Sequence, residues 1–453
     1  MALGRRKDRQ QEFWVATQSL PKSPGHPFYV KLNELLGEAD FDLWVEGLCE
    51  DYYAKDVGRP SIPPGVYFRM LLVGYFEGIQ SQRGIAWRCS DSLSIRSFLG
   101  LAEDKRSPEH SSLTKVRKRL PLEVHEEVFK FVLRIAVEKK LVKGKIVAVD
   151  ATTLEANAAM KSIVRKDSGE DYTEFLRRLA EEEGIEDPTD EDLRRFDKSR
   201  KGKKVSNKEW ESSTDPESRV AKMKDGRTHM AYKAENTIDL ESDMVISADV
   251  YHGDEADTAT LTESVVHAQE NLIETGNKQS IRDVVADKGY HKAKTLHDAE
   301  AIGLRTYIPE PKRAQRRRWQ KKPKGQQGAV YANRRRVSGE RSKRLQRLRS
   351  EYVERSFAHV CETGGGRRTW LRGLEAVRKR YALMVAARNL GAILRKLFGI
   401  GTPRGLQESL AANLASVICS MLPLRLMETL FIASRAAMSI ISPRRPCSVA
   451  RVA

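Results

Sequence analysis

Two short apolar runs, far apart in the chain, constrain the fold more than any other feature. Ile146-Val147-Ala148-Val149 leads into Asp150, and the run from Ile281 through Val284, Val285 and Ala286 leads into Asp287. Runs rich in β-branched residues and closed by turn residues read as buried strands a few residues long. Each delivers a carboxylate at or near its end, where a sheet edge meets solvent. An ionised Asp at such a position needs a partner, because an unpaired buried charge is costly or forces a pKa shift. For Asp150 taken alone, a turn cap or an ion pair with a nearby lysine meets that need better than a ligand role does.

The segments around these runs set the fold class. Thr228–Asp239 and Met244–Tyr251, joined by the turn-like Glu241-Ser242-Asp243, read as an antiparallel hairpin. A helix from about Asp257 to Thr275, a helix over Ala293–Ala301 and a short strand at Leu304–Pro309 follow. A helix then runs from about Ser338 through Val360 to the stop at Gly364-Gly365-Gly366, and an amphipathic helix spans Leu374–Phe398 and ends at Gly399. This order predicts an α/β protein with a mixed sheet flanked by helices, not a doubly wound parallel one. Residues 161–226 are highly charged and read as an insertion on the rim of the sheet, helix-like over Tyr172–Glu183. The tail from Lys198 to Ser218 is poor enough in apolar residues to be disordered.

At 453 residues the chain is long enough for two or three domains. We divide it into an N-terminal arm (1–40), a helical domain (41–141), the α/β domain (142–398) and a C-terminal tail (399–453). Pro63-Pro64 opens a strongly apolar helix, and short helices are expected at Gln82–Arg88 and Leu93–Phe98. Ser107 to Leu120 then places Lys115, Arg117, Lys118 and Arg119 beside Leu113, Val116 and Leu120. Short helices ending in a basic one suit a helix-turn-helix-like arrangement in a DNA groove, with Lys115, Arg117 and Arg119 as contacts. A basic solvated face of an all-α domain fits equally.

Charge narrows the partners. The formal net charge is +18, and between Lys312 and Arg349 stand 16 Lys/Arg against the single acid Glu340, so one segment carries most of the surplus. A polyanion, and nucleic acid first, is the implied partner. The loop-like part of this segment holds Arg316, Arg317 and Arg318 beside Trp319, with Tyr331 further on, a composition suited to tracking a DNA strand. The five cysteines are scattered without a C-x-x-C pair and read as reduced thiols. No apolar leader is present at the N-terminus, and the charge-free run Ser409–Leu424 is shorter than a membrane span. A cytoplasmic protein with no membrane and no small-molecule substrate is expected.

Asp150, Asp287 and Glu354 form the candidate site. Two come from strand ends and one from a helix, so one edge of the sheet can gather them. Clustered carboxylates repel unless cations sit between them. Mg²⁺ or Mn²⁺ suits such oxygen ligands, and two ions roughly 3.5–4 Å apart can activate a water or 3′-hydroxyl and stabilise the leaving oxygen. Asp239, Asp249, Asp254, Asp257 and Asp283 read as turn or edge residues, and His252 and His291 as ordinary surface or core histidines. Tyr290 lacks the Arg/His surroundings that a nucleophilic tyrosine would need.

The segments VAVDATTLEANA, VVADKGYH and YVERSFAHVCETGGGRRTWLRG, in that order, resemble the three blocks of DDE transposases of bacterial insertion sequences. The match is nearest to the IS-eleven-eighty-two-like group within the IS-four and IS-five assemblage, and it covers roughly Phe41 to Leu397. The resemblance implies an RNase H-like fold with Asp150, Asp287 and Glu354 as metal-binding catalytic residues. It also implies binding of terminal inverted repeats, cleavage there, and joining of 3′ ends to target DNA by a dimer or larger synapse. Many relatives carry Tyr, Arg and Lys around the catalytic Glu, where this chain has Arg347, Ser350 and Cys361. The phosphate contacts then fall to Arg347, Arg349, Arg355 or Arg367. Two alternatives share these residues: a nuclease of the same fold without strand transfer, and a DNA-binding protein that has lost catalysis.

Overall fold

The computed structural model describes residues 23–54, 58, 61–102, 104–200, 205–223, 226–312, 319, 323 and 325–405. The chain through Gly401 is one compact unit, and a second begins at Thr402. Arg316, Arg317 and Arg318 lie outside the described residues.

Before the first strand the chain is helical: α1 (Pro27–Glu38), α2 (Phe41–Cys49), α3 (Pro64–Glu77), α4 (Gln82–Asp91), α5 (Leu93–Phe98), α6 (His110–Arg119) and α7 (Leu122–Glu138). Local chemistry sets several starts. Proline opens α1 and α3, and Ser81 and Ser92 accept from the Gly84 and Ile95 amides at the starts of α4 and α5. α1 lies inside the stretch assigned above to an arm, yet it buries Phe28, Leu32, Leu35 and Leu36 in the core. The buried Arg69 of α3 explains much of the packing. Its guanidinium grips both carboxylate oxygens of Asp42 at 2.9 and 2.7 Å and donates to Asn33 Oδ1 and the Phe98 carbonyl, tying α3 to α1, α2 and α5.

The sheet contains β1 (Ile146–Glu155), β4 (Arg219–Lys222), β5 (Thr228–Asp239), β6 (Val245–His252), β7 (Asp283–Val285) and β8 (Arg305–Tyr307); β2 (Ile163–Arg165) and β3 (Trp210–Ser212) form a separate ribbon. β1 pairs antiparallel with β5 and parallel with β7, and β7 pairs parallel with β8. On its other edge β5 pairs with β4 and β6, both antiparallel. The result is the mixed sheet expected from the sequence. One expectation fails: β1 does not stop near Asp150 but runs ten residues, with Asp150 in mid-strand opposite Asn236. The antiparallel partner β5 is long and keeps β1 extended past the end of the short parallel strands.

Alternation along β5 separates the two faces. Glu235 turns toward α10 (Asp257–Glu274), where it meets Thr260 and Ser264. Asn236 turns the other way, accepting from Tyr381 Oη of α14 (Leu374–Phe398) and donating to Ser356 Oγ of α13 (Glu340–Phe357). α14 is not amphipathic as expected: 16 of its residues are buried, so it is a central helix packed between α7 and the sheet. α11 (Ala293–Ala301) precedes β8, and α12 (Gln326–Val337) precedes α13. Arg334, Arg335 and Arg336 therefore lie in the last turn of a helix rather than in a loop, a position favoured by the helix dipole. Past Phe357 the helix widens into a π-helical turn, Ala358–Thr363, before the glycines.

The charged insertion is folded. α8 (Tyr172–Glu182) and α9 (Asp190–Ser199) each start on a capping box and share a small core of Leu176, Ala180, Leu193 and Phe196. The segment expected to be disordered includes residues 201–204, outside those described, but the rest is anchored. Buried Asp215 accepts from Tyr232 Oη at 2.8 Å and from the Gly373 amide at 3.1 Å, and Glu217 accepts from the Leu374 amide. β4 follows at once as a strand of the main sheet. Polar anchors of this kind leave no apolar periodicity to read.

Candidate active site

β7 pairs with β1 only as far as Ala148, and β1 continues until Glu155 meets Arg368. Between these points a crevice opens beyond the carboxyl end of β7, and Asp150 stands in it. Cross-strand partners share a face, so Asp150 points with Asn236 toward α13. Arg349 of α13 donates to Asp150 Oδ2 at 2.7 Å, and the Ala151 amide donates to Oδ1 at 2.8 Å.

Asp287 borders the same crevice. It follows β7 and caps the single turn Lys288–Tyr290, accepting from the Gly289 amide at 2.6 Å. Gly289 lies between two acids: a Cβ there would stand 2.9 Å from Asp287 Oδ1 and 3.1 Å from Asp257 Oδ2. Any larger residue would push these carboxylates apart. Burial raises the Asp150 carboxyl to about 6; Arg349 and the Ala151 amide oppose the rise, while the negative charges of Asp287 and Asp257 add to it. Arg349→Ala is therefore expected to raise it further, by about one unit or more, in a ¹³C NMR titration of aspartate-labelled protein. An unchanged midpoint would mean that Arg349 is not its counter-ion in solution.

The structure does not bring Asp150, Asp287 and Glu354 together as one metal-holding group. Glu354 is exposed on α13, and its Oε1 accepts from Ser350 Oγ at 3.0 Å. Among the described residues no three acid, histidine or cysteine side chains converge closely enough to hold a metal ion. Asp150 and Asp287 fit a divalent ion by donor type and by their mutual repulsion, but Arg349 is the cation that Asp150 holds in this structure.

The expected DNA-contacting residues divide. Arg355 is paired with Asp243 and Glu351, and Arg367 with Glu362, while Arg347 is exposed and has no ion-pair partner among the described residues. Trp319 is half-buried against Tyr331, ring centroids 6.0 Å apart, instead of standing free among cations. On α6, Lys115 and Arg119 are exposed, with the Arg119 guanidinium over the Tyr53 ring, but half-buried Arg117 lines a cavity. The three do not share one face, because residues two apart on a helix lie on nearly opposite sides.

A buried network beside the site escaped the sequence reading. Fully buried Glu235 accepts from Tyr290 Oη and Thr260 Oγ1, each at 2.8 Å, and from Ser264 Oγ at 2.5 Å; Lys233 Nζ stands 3.1 Å from Glu235 and 2.9 Å from Asp257. It joins β5 and α10 to the turn that carries Asp287. The available signal was a Lys-x-Glu pair inside a strand: period-two spacing puts both charges on one face, where only mutual pairing makes burial tolerable.

A transposase DDE domain model matches residues 143–390, more than half of the chain and all of the sheet. The chain belongs to the transposase DDE domain family. A second model, described as a transposase domain (DUF772), matches residues 17–119. No curated protein matches the chain significantly. A transposase therefore combines the helical region with the α/β region, and DDE membership makes it a transposase or nuclease enzyme in general terms. Among its described residues no helix is long and apolar enough to cross a membrane.

Proposed function

We propose that this protein is a DNA transposase of the IS-eleven-eighty-two-like group, which cleaves DNA at terminal inverted repeats and joins the 3′ ends to a target with Mg²⁺ or Mn²⁺. The observation that carries the reading is Asp150 on β1 and Asp287 just past β7, close enough that the charge of Asp287 helps raise the Asp150 carboxyl. The strand order β6-β5-β1-β7-β8, antiparallel up to β1 and parallel after it, supports an RNase H-like core. The basic segment and the net charge of +18 support a polyanionic substrate. The exposed Lys115 and Arg119 support a helix-turn-helix-like role for the helical region. Two DNA ends held together require a dimer or larger synapse acting in the cytoplasm.

Asp150 and Asp287 would hold the divalent ion, which supplies activation of an attacking water or 3′-hydroxyl and neutralises charge at the phosphate. Arg349 holds Asp150 in this structure and would compete with a divalent ion for it, and a guanidinium beside the site suits a phosphate oxygen. Glu235 and Tyr290 hold the Asp287 turn in place. Exposed Arg347 is free to neutralise the DNA backbone.

The exposed position of Glu354 favours a second reading, in which the site is incomplete and the protein binds DNA without strand transfer. One assay separates them: purified protein, an end fragment of its own element, a target plasmid and Mg²⁺ or Mn²⁺. Joined products support transposition, cleavage alone supports a nuclease, and neither supports the second reading. If Asp150→Ala, Asp287→Ala or Glu354→Ala leaves cleavage intact, that residue is not part of the site.

A further inference from the structure

A cavity of about 480 Å³ lies where α3, α4 and α6 face α14, between the two matched regions and apart from the acidic crevice. Its walls are unusual in charge. Arg83, Arg117, Lys379 and Arg380 line it, and no Asp or Glu does. Lys379 is neutralised by Glu375 at 2.6 Å outside the lining. Buried His125 adds no charge at neutral pH, since burial lowers it to about 4 and its nitrogens bond Tyr67 Oη and the Pro121 carbonyl.

The two inner arginines remain unneutralised. Arg380 donates to the Gly365 and Arg368 carbonyls at 2.9 and 3.1 Å, with no acid partner. The Arg117 guanidinium is half-buried and makes no hydrogen bond or ion pair with any described residue. Arg117 raises the cost of the Arg380 charge: burial first, then Arg117, lowers Arg380 to about 10. Two guanidinium groups held near one another in partial desolvation are unfavourable without an anion between them. The lining also holds an apolar and aromatic part, with Leu71, Ile79, Tyr75, Met384 and half-exposed Trp370, beside the uncharged polar Gln80, Ser81 and Gln82 and the ring of His110. Arg368 lies over the Trp370 ring at 4.9 Å, and Gln80 accepts from its indole nitrogen, which fixes the ring plane.

We propose that this cavity binds a nucleoside phosphate, with the phosphate on Arg117 and Arg380 and the base against the apolar wall near Trp370. The volume falls within the range of small-ligand sites. A guanidinium pair suits a phosphate by charge and by its forked donors, and a flat, weakly polar base suits the aromatic wall. The same chemistry arises from two sources, a free nucleotide or an unpaired nucleotide at a DNA end. The site does not rest on the catalytic reading, because none of its residues lines the crevice.

The test follows thermal unfolding of the full chain with deoxyadenosine monophosphate, inorganic phosphate or deoxyadenosine. The monophosphate is expected to raise the midpoint most, as a ligand of the folded state must. Arg117→Gln is expected to remove the response, Arg117→Lys to keep part of it, and Asp150→Ala to leave it unchanged. Binding is then compared between a blunt duplex and one with a single unpaired terminal nucleotide. A preference for the unpaired end that Arg117→Gln erases assigns the nucleotide to DNA; a monophosphate response without that preference assigns a free nucleotide. No response beyond that to phosphate, or an equal response in Arg117→Gln, overturns the proposal. A catalytically dead protein that still responds shows that the two readings fail separately.

Discussion

Asp150→Asn is expected to lower metal-dependent DNA cleavage by about a thousandfold or more and, in the same protein, to raise stability at neutral pH. The first effect follows from removing an anionic oxygen from the paired acids of the crevice. The second follows from linkage. The folded-state pKa of about 6 lies above that of an unfolded aspartate, so between these values the folded chain holds the extra proton. Folding therefore gains stability as pH falls through 6 and carries the full penalty above it. That penalty is at most about 2–3 kcal/mol for a shift of this size, and asparagine removes it. Urea unfolding at pH 7.5 should show the variant more stable than wild type, and near pH 4 the difference should close. Saturating Mg²⁺ should reverse the order at pH 7.5, because the ion stabilises only the wild-type site. A variant less stable than wild type at pH 7.5 without metal would mean that the Arg349 pair outweighs burial. Full cleavage activity in the variant would remove Asp150 from the proposed mechanism.

The sheet was legible in the sequence because its strands carry their own periodicity. Thr228–Asp239 appears with the bounds read from the sequence, and Ala293–Ala301 and Leu374–Phe398 likewise match the helices observed. Asp150 and Asp287 stand out in the sequence as acids breaking apolar runs, and the structure places both where β7 ends. What local pattern cannot give is the length of a pairing partner, so β1 was cut short at the acid although β5 carries it on to Glu155. Nor does it give the burial of a helix from all sides, as for α14, or the direction of a side chain such as Arg117. Glu354 shows the same limit. Its block places it on a helix beside the sheet, but only the rotation of α13 decides whether Arg349 or Glu354 faces Asp150, and here it is Arg349. Asp257 was read as a turn residue, and its place beside Asp287 arises from a tertiary contact across Gly289.

Glu235→Ala is expected to be the most destabilising single change near the site, by about 3–5 kcal/mol, because it takes from buried Lys233 one of its two acids and from three hydroxyls their shared acceptor. The carboxylate is fully buried, and Lys233, Thr260, Ser264 and Tyr290 all turn toward it. Burial raises its pKa, while Lys233 and the hydroxyl donors oppose the rise, so the carboxylate and its donors offset one another's desolvation. Tyr290→Phe removes one of these bonds and should cost only about 1 kcal/mol, which separates the network from any one member. The two variants also divide stability from catalysis. Tyr290 closes the turn that Asp287 caps, so Tyr290→Phe should loosen that turn and lower the cleavage rate while the protein stays folded. Urea midpoints and cleavage rates measured on both proteins test this. A Glu235→Ala protein within about 1 kcal/mol of wild type would mean that water enters to replace the carboxylate. A Tyr290→Phe protein with unchanged rate would mean that Asp287 is held by Gly289 alone, and the buried network would then serve only to join α10 to the sheet.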